Sequence, residues 1–174
     1  MKEKSLLKRR IIAIVFFIFA LYLTELSPFS MHAIAHTNEG YGVLDMKKYN
    51  SDVFINMMTA SSNMGLYWKY YVFDFIFTAA FLNFMIQMVT GFKGQIINKV
   101  KIISYVLAVI RGLFDSVENC IMLNQIYSFP DVNSNLINAC NTITRLKFHF
   151  MRGWIICFVA IIIIHIVQRN IKTK

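Results

Sequence analysis

Apolar residues gather in four long runs: residues 11–26, 66–90, 102–127 and 148–167. Each approaches or exceeds the ~20 residues that a helix needs to cross about 30 Å of hydrocarbon. The stretches between them are polar, and the longest covers residues 27–65. This pattern predicts an all-α membrane protein forming one integral domain over residues 1–174. Its architecture is a four-transmembrane-helix bundle with a long outer loop, 27–65, between helices 1 and 2. Within that loop, Ser51 and Asp52 are placed to cap a short amphipathic helix reaching Met58, lying on the membrane surface or over the bundle mouth.

Charge at the ends of the runs sets a direction. Lys2, Lys4, Lys8, Arg9 and Arg10 precede the first run; Lys93, Lys99 and Lys101 follow the second; Arg169, Lys172 and Lys174 close the chain. On the other side stand Lys47, Lys48, Lys69, Arg145 and Lys147, together with most of the loop acids. The positive-inside rule then puts both termini in the cytoplasm. The even number of runs agrees, since it puts both termini on one side.

The first run also has the basic start and short apolar core of a signal peptide, with small residues at Ala33 and Ala35. Those lie about ten residues past the apolar core, too far for ordinary cleavage, so a retained helix is expected.

A hydrophobic content of 57% and mean hydropathy of +0.53 set the chain apart from soluble domains. The net charge of +9 invites a nucleic-acid reading. Its basic residues, however, sit at segment ends and form no face, which argues against one. Cys120, Cys140 and Cys157 are widely spaced, with Cys140 falling in a loop, and no zinc or redox motif is present. His32 and His36 lie at i, i+4 but lack an evident third ligand. No cofactor fingerprint, phosphate loop, nucleophile elbow or metalloprotease motif appears, and no cofactor is expected.

The third run departs from apolarity in an ordered way. Arg111, Asp115 and Glu118 fall at i, i+4 and i+7, within about 60° of one another on a helix, with Asn119 beside them. An ionised side chain at the bilayer centre costs roughly 2.5–3.5 kcal/mol even on insertion scales. Three on one stripe need partners, water or a task. In the predicted topology Asp74 enters the outer half from the second run, and Lys147 and Arg152 from the fourth. Lys147, Trp154 and His165 share one helix face; Arg152 is free to snorkel outward.

We therefore expect an outward-opening polar cavity lined by Asp74, Asp115, Glu118, Asn119, Arg111 and Lys147, with Tyr70 and Trp154 in its wall. Arg111 and Asp115 can pair within the helix, and a network that only fixes packing is the plain alternative. Acids outnumber the one certain intramembrane cation, however. That excess points to a lipid-like or cationic small ligand, with proton transfer between acids of unlike surroundings as available chemistry. Competing functions are an accessory protein that binds a partner's transmembrane helix and a small proton-coupled transporter, which would have to oligomerise to enclose a path. The expected partners are membrane lipid, a small amphiphile, and a second copy or another membrane protein.

Val43 to Asp45, Phe73 to Phe77, the D-x-x-E-N of Asp115 to Asn119, Phe129-Pro130 and Thr144 to Phe148 occur in an order that resembles a group of small four-span bacterial inner-membrane proteins of unassigned function. The resemblance covers the chain from about residue 40. It implies the four-helix architecture and a bacterial cytoplasmic membrane, and no biochemistry; Arg111 has no place in the pattern. Size and layout alone are similar to the emopamil-binding and sigma-2-type proteins, a likeness that does not assign function.

Overall fold

The computed structural model describes residues 2–45 and 47–172. Lys174, counted above with the basic tail, lies outside the described residues. Six helices follow one another: α1 (Lys2–Glu25), α2 (Met31–Thr37), α3 (Ser51–Ala60), α4 (Met64–Val89), α5 (Gln95–Ser128) and α6 (Ser134–Lys172), with no strand among the described residues. Two stretches, Met64–Val89 and Ser134–Asn170, are long and apolar enough to cross a membrane. α1 is apolar only between Arg10 and Glu25, and α5 carries its charged stripe mid-helix.

The 27–65 segment holds two helices. α2 was not expected; Ser30 Oγ caps it by accepting from Ala33 N–H at 3.3 Å. α3 is the expected short helix, but its cap is Asn50, whose Oδ1 accepts from Val53 N–H at 3.0 Å. Ser51 and Asp52 lie inside the first turn, where Asp52 suits the positive end of the helix dipole. α6 begins at Ser134, well before the expected residue 148, so Cys140 is a buried helix residue and not a loop thiol. α1 and α5 likewise extend back through the basic residues expected to flank them.

The long helices pack in chain order, α1 on α4, α4 on α5 and α5 on α6. Phe17 of α1 fits among Phe77, Phe81 and Phe84 of α4, with centroids 5.8, 5.0 and 4.8 Å away. Arg10 donates to the carbonyls of Gln87, Met88 and Thr90 (3.3, 3.3 and 2.6 Å), satisfying the open C-terminal end of α4. Lys101 donates to Phe92 O at 3.0 Å, and the Phe92 ring meets His165 edge-on at 5.2 Å. These contacts bring the start of α1, the end of α4, the start of α5 and the end of α6 to one end of the bundle.

Two hydrophobic cores result. One, at that end, joins Met85, Val89, Ile97, Ala108, Trp154 and Ile161. The other, at the opposite end, packs α2, α3 and the 43–49 loop against Tyr67, Tyr71, Met122, Ile126, Ile137 and Cys140. The outer surface between the ends is apolar: Val15 is 60% exposed, Ile102 62% and Ile156 69%, with many neighbours on the same faces. Soluble monomers rarely present so continuous an apolar surface. The Arg111, Asp115 and Glu118 side chains of α5 point the other way, into the protein.

Candidate functional site

A polar layer separates the two cores. Its centre is Asp115, held on three sides: Oδ2 takes Arg111 Nη2 at 2.8 Å and Thr78 Oγ1 at 2.7 Å, and Oδ1 takes Lys147 Nζ at 2.8 Å. The i, i+4 spacing of Arg111 and Asp115 makes the first of these contacts local to α5. The Arg111 guanidinium also lies 4.5 Å from the Phe81 ring centroid, an attraction strengthened by exclusion of water.

Lys147 serves a second acid. Its Nζ forms an ion pair with Glu118 Oε2 at 2.5 Å. Thr144 has one hydroxyl proton and two acceptors, Glu118 Oε1 at 2.6 Å and Cys140 O at 3.0 Å. The shorter, charge-assisted contact is the stronger. Arg111, Asp115, Lys147 and Glu118 thus form an alternating chain of charge in which two cations match two acids.

Two further carboxylates join this layer without a cation within ion-pair distance among the described residues. Asp74 Oδ2 accepts from Asn119 Nδ2 at 2.7 Å, and its Oδ1 takes no bond from a described residue. Asp45 arrives from the loop. Asn38 folds that loop by donating to Gly42 O (2.7 Å) and Tyr67 OH (2.6 Å) while accepting from Gly42 N–H (2.9 Å). Gly42 supplies the positive φ of 66° that the bend needs. Asp45 is thereby carried inward to accept from Tyr70 and Tyr71 hydroxyls, both at 3.2 Å. Burial pushes the Asp45 carboxyl above its ordinary range; Lys147 and the two tyrosine hydroxyls oppose that push. Burial likewise raises the Tyr49 hydroxyl.

A cavity of about 240 Å³ opens beside these groups. Asp45, Asp74, Arg111, Asp115 and Lys147 form its polar wall, and Leu21, Phe77, Phe81, Phe148 and Met151 its apolar wall. Glu25 stands at its rim. Of the residues singled out from sequence, Asp74, Asp115, Arg111, Lys147 and Tyr70 line the cavity, and Glu118 and Asn119 bond to those that do. Trp154 does not join them. It lies in the other core, stacked on Phe158 at 5.2 Å, its Nε1 without a hydrogen-bond partner among the described residues.

Sequence reasoning missed Asp45, Thr78 and Thr144 as members of the site. Thr78 and Thr144 had a usable signal, being four residues after Asp74 and three before Lys147 on the same helix faces. Among the described residues, no three His, Cys, Asp or Glu side chains gather as metal ligands. No protein-family model, curated protein or solved structure matches this chain.

Proposed function

We propose that the chain is a multi-pass protein of the bacterial cytoplasmic membrane whose intramembrane cavity binds a lipid-like or cationic small molecule. In this reading α1, α4, α5 and α6 all cross the bilayer, with both termini cytoplasmic. The apolar outer faces of all four helices support four crossings. The charges that make α5 look unsuited to hydrocarbon are turned inward and paired, which removes most of their insertion cost. The basic residues at the end fixed by Arg10 and Lys101 support a cytoplasmic assignment of that end.

The observation that carries the binding role is the excess of carboxyl groups over cations on the cavity wall. Asp45 and Asp74 remain after Arg111 and Lys147 have been matched by Asp115 and Glu118, and an apolar wall faces them. A head carrying positive charge complements the acids, and a hydrocarbon tail complements Phe77, Phe81 and Met151.

Native mass spectrometry of the detergent-extracted protein tests this. The wild type and an Asp52→Asn control, altered at an exposed outer position, should carry an additional basic small molecule. Asp74→Asn should retain about tenfold less of it, the effect of losing one charge-assisted contact of about 1.4 kcal/mol. Equal occupancy in all three proteins would remove Asp74 from the reading.

A further inference from the structure

The cavity is reached from the side. Because the long helices pack α1 on α4, α4 on α5 and α5 on α6, the bundle forms an arc, and no packing of comparable extent joins α1 to α6 among the described residues. The cavity lies at that seam, with Leu21 and Thr24 of α1 on one margin and Phe148 and Met151 of α6 on the other. Met31 of α2 and Asp45 of the outer loop line the same cavity from above. The tyrosine hydroxyl bonds to Asp45 hold that roof down. Leu21, on the α1 margin, is itself 38% exposed, which leaves the seam open at the apolar outer surface.

Size and charge restrict what can use it. At about 30 Å³ per water in the liquid, 240 Å³ holds a head of about eight heavy atoms, and a long chain has to remain in the seam. Asp74 is buried, lines the cavity, and keeps one carboxylate oxygen without a hydrogen-bond partner among the described residues. An ammonium group donates to that oxygen and pairs with the surplus carboxyl; a zwitterionic head brings an acid of its own.

Building on the binding role proposed above, we infer that the ligand is a single-headed alkylammonium amphiphile that enters laterally from the outer leaflet through the α1–α6 seam. Its ammonium rests on Asp74, and its tail lies between Leu21 and Met151.

The test uses the full chain in phosphatidylcholine nanodiscs, with dodecylammonium bearing a tail fluorophore as probe and empty nanodiscs as background. Unlabelled dodecylammonium should compete, and methylammonium should need at least about 100-fold more, since it lacks the buried chain. Leu21→Phe with Met151→Phe should slow association at least about tenfold, because it narrows the path. The widened pair, Leu21→Ala with Met151→Ala, should speed association and serves if the bulky pair fails to fold. Leu113→Phe, on an exposed face of α5, should leave the rate unchanged. Equal competition by methylammonium, or seam variants as fast as Leu113→Phe, would overturn the lateral route and leave the binding role standing. Absence of saturable binding of either cation would overturn both.

Discussion

Lys147 of α6 donates to Asp115 of α5 at 2.8 Å, tying the two longest helices together at a point where both side chains are buried. This bond fixes the register of the most extensive helix pair and places the positive charge that Glu118 also uses.

Removing that charge should be expensive. Lys147→Met is expected to lower unfolding stability by about 3–5 kcal/mol, because buried carboxylates lose their shared cation. Adding Glu118→Gln should recover part of the loss, since one uncompensated charge disappears. Unfolding in mixed micelles of increasing denaturing detergent measures both, and strict additivity of the two substitutions would contradict the shared-cation picture.

Thr144 tests the hydrogen bond separately from the charge. Thr144→Val keeps shape but leaves Glu118 Oε1 without its donor, for an expected loss of about 1–3 kcal/mol. Thr144→Ser keeps the hydroxyl and should lose much less. The same unfolding assay distinguishes them.

Gly91 sits at φ +97° in the α4–α5 turn, and a Cβ there would run into the Leu6 side chain. Gly91→Ala should therefore destabilise by about 1–3 kcal/mol. Leu6→Ala in the same chain should relieve the collision but not the backbone strain, giving partial recovery in thermal unfolding.

Asp45 carries a pH signature. Its carboxyl is raised above the ordinary 3.8 in the folded protein, so the folded state binds its proton more tightly than the unfolded chain does. The stability from this residue is fully present below 3.8 and is lost as pH rises through the folded value. Wild-type stability minus that of Asp45→Asn should therefore decline as pH rises from about 4. A difference that grows with pH would reverse the assignment.

The reach of sequence reasoning followed the range of the interactions involved. α4 was legible to within two residues because a continuous apolar run has few alternatives. The Arg111–Asp115–Glu118 stripe was legible because helical spacing is local. The first part of α6 reads as polar loop, yet Ile137, Cys140, Thr144 and Lys147 recur at three- and four-residue intervals and are all buried. That periodicity was visible but was outweighed by composition. Asp45 had no such signal: its position depends on Asn38, Gly42 and Tyr67 acting across 29 residues of chain. Trp154 was placed on the correct face but at the wrong depth, since face follows from spacing and depth from where the helix starts.

The 39 residues of α6 have one more consequence. At 1.5 Å per residue the helix is about 58 Å long, nearly twice a typical hydrocarbon thickness of about 30 Å. In the proposed four-crossing arrangement a bilayer sheathes only about half of it, and the part before Lys147 runs on past the hydrocarbon as a prop for the second core, which it enters through Ile137 and Cys140.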